Sequence, residues 1–161
     1  MIEKVEGIVI SETDYGETSK ILNVLTKEHG IIGVISKGCK KLKSDLRSVS
    51  SKLTYGLFNI FYKENKLSNL ISVDSLNNFK NIKKDIEKIS YANFLLELAS
   101  GVAKQHFGQT VYDYLISGLI KINDGFDPLV ITNIVELKYL DLLGVLPYLE
   151  GCVNCHSKQS I

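Results

Sequence analysis

The apolar pattern of this chain changes period once, near Leu76–Asn81, and that change excludes most folds. Before it, apolar residues come in short β-branched runs of strand length. After it, they recur at helical spacing. A chain organised in this way reads as α+β, with strands and helices segregated along the sequence.

Five runs carry the strand signal. Val5–Ile10, Ile21–Thr26 and Ile31–Ile35 are separated by turns at Tyr15-Gly16-Glu17-Thr18 and His29-Gly30. Tyr55–Tyr62 alternates, with Phe58, Ile60 and Tyr62 on one face and Leu57, Asn59 and Phe61 on the other. Leu67–Val73 is the fifth run. Five short strands with mostly tight connections predict a small closed or nearly closed barrel.

Helical spacing then links Ile82, Ile86, Ile89, Phe94 and Leu98, predicting one helix over about Ile82–Gln105. A second fits Val111–Ile122, with Leu115 and Leu119 in register. Asp127-Pro128 is a helix start, an N-cap followed by proline at the first helical position. The helix it opens is apolar over much of its circumference, which predicts a central place in a bundle. Gly144 and Pro147 end it. The resulting expectation is a barrel unit over 1–78, a helical unit over 79–150 and a short tail over 151–161.

Of the 161 residues 45% are hydrophobic, enough for one domain or two small ones. No apolar run reaches membrane-spanning length, and the N-terminus lacks the apolar core of a secretory signal. Three cysteines, two of them in a CxxC, do not form a disulfide framework. A cytoplasmic location is expected.

The connection between the third and fourth runs is where charge concentrates. Ser36 to Lys52 holds six of the 19 cations and one of the 18 acids, leaving 13 cations against 17 acids elsewhere. The formal net charge of +1 therefore hides a dipolar molecule. A local cationic excess binds a polyanion without making the whole surface adhesive. Gly38 and Ser44 add flexibility and hydrogen-bonding capacity. Lys37, Lys40, Lys41, Lys43 and Arg47 are the candidate phosphate-binding residues. A charge run is also what a plain solvated loop carries, so both readings stand on spacing alone. Tyr15, Tyr55, Phe58, Phe61 and Tyr62 are aromatics on which bases could stack, although strand alternation makes most of them core residues.

Little else carries chemistry. Cys152 and Cys155 form a CxxC after a helix, the geometry of a zinc half-site, but a closed site takes four ligands. His156 is badly placed beside Cys155, and Cys39 and His106 are distant in sequence. No phosphate-binding glycine motif, HExxH or GxSxG is present. His29 reads as a turn residue. Glu12, Asp14 and Glu17 read as a solvated acidic turn.

Taken in order, these pieces resemble the bacterial recombination mediator family RecO over essentially the whole length. The carriers are Gly7–Ile10, Gly16-Glu17-Thr18-Ser19-Lys20-Ile21-Leu22 and Thr26-Lys27-Glu28-His29-Gly30. They continue through Ser36-Lys37-Gly38, Lys43-Ser44 with Arg47, and Tyr91–Leu98. Glu136-Leu137, Leu142–Pro147 and Cys152-Val153-Asn154-Cys155 complete the series. Each is weak alone; the ordered set is specific. The resemblance implies an N-terminal OB-fold, a helical domain and a zinc-binding element. It also implies binding of single- and double-stranded DNA, annealing of complementary strands, and work with RecR and single-strand-binding protein to load RecA.

Ser36 stands where the family has alanine, and His156 where glycine follows the CxxC. A second CxxC and the rest of the helical domain are missing. A C-terminally truncated member is therefore expected, with zinc expected in the full-length protein and only half its ligands here. Two rival readings are a protein-docking adaptor whose helical half binds a partner's tail, and an OB-fold RNA-binding protein. A zinc hydrolase lacks both ligands and a general base.

Overall fold

In the computed structural model, residues 1–105, 108–155 and 157–158 are described. His106 and His156 lie outside them. Five strands come first: β1 (Ile2–Tyr15), β2 (Ser19–Thr26), β3 (Gly30–Ser36), β4 (Tyr55–Phe61) and β5 (Ser68–Asn77). They close into a barrel in the order β1-β2-β3-β5-β4, the five-stranded arrangement of an OB-fold.

Length is what lets β1 close the barrel. Its first half pairs with β4 (Ile2 opposite Phe61) and its second half with β2 (Tyr15 opposite Ser19). An irregularity between Val9 and Ser11 bends the strand from one partner to the other. The strand therefore extends well beyond the apolar run Val5–Ile10, through polar residues that pair but do not bury. β3 and β5 complete the circle with a short parallel contact, Val34–Ile35 beside Ser68–Asn69.

Alternation sorts the side chains as expected. Val5, Val9, Leu22, Val24, Val34, Phe58, Ile60 and Leu70 fill one buried cluster, with Tyr62 packed against it.

The helices are α1 (Lys80–Lys83), α2 (Ile86–Gln105), α3 (Gln109–Asn123) and α4 (Pro128–Leu142). The single helix expected from Ile82 is broken. The Asp85 carboxylate accepts from the backbone N–H of Glu87 at 2.9 Å and of Lys88 at 3.2 Å, starting α2 afresh. The stripe also differs from the expected one. Ala92, Leu95, Leu96, Ala99, Val102 and Ala103 are the buried residues of α2, whereas Ile86 and Phe94 face outward. The Asp127 cap is present, accepting from Val130 N at 3.0 Å. α4 does not occupy a central place. Ile131, Val135 and Tyr139 pack inward, while Leu129, Val130, Ile134 and Leu137 are exposed.

The two halves share a core. Ile8, Ile10, Leu25, Leu53 and Tyr55 from the barrel side cluster with Phe79, Ile82 and the buried residues of α2, α3 and α4. A polar tie crosses the same boundary, where Glu6 Oε1 accepts from the hydroxyls of Tyr55 and Tyr112, each at 3.0 Å. Burial raises the pKa of both phenols above the ordinary tyrosine value, so both stay protonated donors. Phe79, fully buried at the junction, holds a left-handed φ of 44° that its packing must maintain.

Candidate nucleic-acid interface

The segment 37–54 leaves β3 at one end of the barrel and returns into β4. It is not a free loop. Gly38 turns the chain out of β3 at φ 68°, a left-handed angle that glycine adopts without cost, and its N–H donates to Ser19 Oγ at 3.1 Å. Lys40 N donates to Thr18 O at 2.9 Å. The hydroxyls of Ser36 and Ser50 share a 2.7 Å hydrogen bond beneath the segment. Cys39, Ser50 and Leu53 are buried, and Leu46 packs against the barrel interior. Small and apolar residues thus staple the segment down at intervals. The cations fall between the staples.

Lys37, Lys41, Lys43 and Arg47 are exposed, and among the described residues none makes an ion pair. Lys52 is exposed too and extends the same surface. Lys40 differs. Its ammonium lies 2.7 Å from Asp14 Oδ2, its side chain is 29% exposed, and it fastens the segment to the β1–β2 turn. The hydrogen bond from Lys40 holds the Asp14 carboxyl below the ordinary aspartate range. Of the five cations singled out by sequence, four are free on one surface and one is tied.

The acidic turn is correspondingly more than a solvated one. Glu12 accepts from Lys20 Nζ at 2.9 Å and from the backbone N–H of Lys52 at 2.8 Å, holding the returning end of the segment against β1 and β2. Leu42, between Lys41 and Lys43, is 87% exposed and gives this cationic surface one apolar tip.

Among the barrel aromatics, Phe58 is core and Tyr55 is buried against Phe79. Tyr15 and Phe61 are exposed. Tyr62 stacks on His29, with centroids 4.9 Å apart and planes at 25°. The two residues are far apart in sequence and meet only when the β4–β5 connection closes over the β2–β3 turn, so no local signal joins them.

The tail offers half a metal site. Cys152 and Cys155 are exposed and free. Cys155 Sγ lies 3.1 Å from Ser157 Oγ, and hydrogen bonding from Ser157 lowers the Cys155 thiol to about 7. Among the described residues no group of three or more His, Cys, Asp or Glu side chains comes together. The described donors therefore do not fit a closed zinc site, which takes four ligands. Among the described residues no helix is long and apolar enough to cross a membrane.

Sequence comparison matches the chain twice. The family profile described as Recombination protein O N terminal covers residues 1–79, and that described as Recombination protein O C terminal covers residues 83–161. The chain is 38% identical over 159 residues to a DNA repair protein RecO of Bacillus subtilis (strain 168), a match that covers 98% of this chain and 62% of that protein. It is 37% identical over 155 residues to the RecO of Listeria monocytogenes serotype 4b (strain CLIP80459), covering 96% and 60%. Against the RecO of Exiguobacterium sibiricum it is 35% identical over 161 residues, covering 99% and 64%. The chain thus spans somewhat less than two thirds of the length of these relatives. With both halves matched in order, and with the barrel and helices such a match requires, the chain belongs to the RecO family.

Proposed function

We propose that this chain is a cytoplasmic, non-catalytic DNA-binding recombination mediator. It binds single- and double-stranded DNA, anneals complementary strands, and helps to load RecA together with RecR and single-strand-binding protein. The observation that carries the DNA-binding part is the stapled segment 37–54, which holds Lys37, Lys41, Lys43 and Arg47 exposed on one end of a closed barrel, without ion-pair partners among the described residues. Such a surface neutralises backbone phosphates and releases their counterions. Screening two strands at once lowers their mutual repulsion and favours pairing, with no bond made or broken. Zinc belongs to this proposal only in a protein that adds two ligands to Cys152 and Cys155.

Charge reversal is the test. Replacing Lys41, Lys43 and Arg47 by glutamate is expected to flatten the dependence of affinity on salt, by about 0.7 in log–log slope for each single-strand phosphate that is no longer neutralised. Annealing of complementary oligonucleotides is expected to fall with it. Unchanged affinity and slope in the folded variant would overturn the reading.

One observation favours a second role, protein docking by the helical half. Leu98, Leu137, Leu140 and Leu143 line an apolar groove of about 510 Å³ between α2 and α4. The apolar end of a partner's tail would suit it. Retention of such a peptide in high salt without nucleic acid supports docking; elution by salt alone counts against it. An RNA-binding role would draw on the same cations, and competition between DNA and RNA oligomers separates the two.

A further inference from the structure

The antiparallel pairings of β1, β2, β3 and β4 put the β1–β2 turn and segment 37–54 at one end of the barrel. The β2–β3 turn and the β4–β5 connection fall at the other. That far end holds a cleft of about 490 Å³, lined by His29, Gly33, Tyr62, Lys63, Lys66 and Leu67. Its parts are held in place. Tyr62 rests on the barrel interior and its N–H donates to Met1 O at 3.0 Å. Lys63 N donates to Ser68 Oγ at 3.1 Å, and His29 N to Thr26 Oγ1 at 3.0 Å. Leu67 packs directly over Gly33, its Cδ2 2.8 Å from where a Cβ would sit there.

Its chemistry is specific. The His29 and Tyr62 rings stack and are half-buried, presenting a π surface beside two exposed ammonium groups, Lys63 and Lys66. Among the described residues neither lysine makes an ion pair. Glu3 lies 3.5 Å from His29 Nε2 and orients that ring. A flat apolar group with flanking negative charge fits this arrangement. A nucleotide of a single strand is such a group. A duplex is not, because its base faces are already stacked on each other.

We propose that the His29–Tyr62 cleft is a base-stacking subsite for single-stranded DNA, with Lys63 and Lys66 taking the adjoining phosphates. The proposal rests on the DNA-binding reading above and adds to it a discrimination that cations alone do not provide. β3 runs seven residues between the two ends, roughly 23 Å. One strand can engage both.

Two labelled probes of equal charge test this. One is an oligothymidylate of about 12 nucleotides, inside the range of roughly 4–16 that one OB-fold covers. The other is an abasic sugar–phosphate oligomer of the same length. The wild type is expected to prefer the thymidylate by about fivefold or more. His29→Ala and Tyr62→Leu are each expected to erase much of that preference. Abasic and duplex affinities, and the salt slope, should stay as they were. Tyr62→Phe keeps the ring and should keep the preference. If Tyr62→Leu does not fold, His29→Ala, on a surface turn, decides alone. Equal wild-type affinity for the two probes, or a variant that loses duplex and thymidylate binding together, overturns the cleft and leaves the loop reading intact. A wild type that binds neither overturns both.

Discussion

Lys40 permits a sharper test of the cationic surface than deletion of its neighbours. Its ammonium is bound to Asp14 at 2.7 Å, while Lys37, Lys41, Lys43 and Arg47 have no ion-pair partner among the described residues. Each cation that neutralises a single-strand phosphate contributes about −0.7 to the log–log salt slope. The four free cations among these five therefore contribute about −2.8 between them, a factor of roughly 50 in affinity over a fourfold rise in salt, to which Lys52, Lys63 and Lys66 add their own share. Asp14→Asn removes the carboxylate and frees the fifth. The slope should steepen by about 0.7, so that the same change in salt costs roughly 2.6-fold more affinity than in the wild type.

The substitution does not loosen the whole segment. Lys40 N still bonds Thr18 O, Gly38 N still bonds Ser19 Oγ, and Glu12 still holds Lys52 N. Lys40→Gln in the wild-type background should barely change the slope, because that charge is already matched. Protonation gives an independent check. The Asp14 carboxyl is held below its ordinary value of 3.8, so the pair is intact at all pH values above 3.8 and is lost only as pH falls through the lowered value. Slopes measured anywhere above that range should therefore agree. The assay is fluorescence anisotropy of an oligothymidylate across a salt series, with thermal melting as the control for folding. A slope that Asp14→Asn leaves unchanged, or that Lys40→Gln alone flattens as much as Lys41→Gln does, refutes the division into free and tied cations.

Two further outcomes follow from particular contacts. Tyr112→Phe removes one of two hydroxyls that Glu6 accepts and leaves Tyr55 in place; because Glu6 is only half-buried, the loss in urea denaturation should be about 1.5 kcal/mol, at the low end for a bond to a charged group, and a loss below the error of the measurement would deny the tie any role. Alkylation of Cys155 should reach half its maximal rate near pH 7, since its thiol is lowered to about 7, and Ser157→Ala should move the midpoint toward 9.0; Cys39, which is buried, should stay unmodified in the folded protein, and an unchanged midpoint in the serine variant would refute the hydrogen bond as the cause.

What the sequence made legible was whatever depends on local period or local chemistry. Alternation at Phe58 and Ile60 put the inner face of β4 correctly, with Tyr62 just past the strand packed on the same cluster, and Asp127-Pro128 marked the start of α4. The errors share a cause. Ile82, Ile86 and Ile89 keep helical spacing across a break, because a capping carboxylate at Asp85 leaves no trace in an apolar pattern. Phe94 looked like core, yet the buried face of α2 is Leu95, Leu96 and Val102 with Ala92, Ala99 and Ala103, and the three alanines carry little hydrophobic signal by which to place that face. The apolar girth of α4 indicated a central helix, but apolarity says that a face is to be covered and not by what. At the interface the cationic surface was legible as composition. The pairing of Lys40 with Asp14 and the stacking of His29 on Tyr62 were not, because each joins residues distant in sequence that only the assembled sheet brings together.

The shared core makes a claim that neither half could make alone. A period change at the β–α boundary invites the view that the barrel is a separable module. Yet Ile8, Ile10, Leu25, Leu53 and Tyr55 are buried in the same cluster as the helices. Fully burying such a side chain stabilises by about 1.5–3 kcal/mol. Exposing all five would cost up to roughly 7–15 kcal/mol, as large as the whole net stability of an ordinary domain. Residues 1–78 expressed alone should therefore lack a cooperative thermal transition and bind hydrophobic dyes, while the full chain melts as one unit. The basic segment should lose its affinity for DNA along with the helices, since Leu53 anchors its return into β4 from within that cluster. A folded, monomeric 1–78 fragment with wild-type affinity would show that the barrel stands without the helices and that the common core is incidental to how the cations are held.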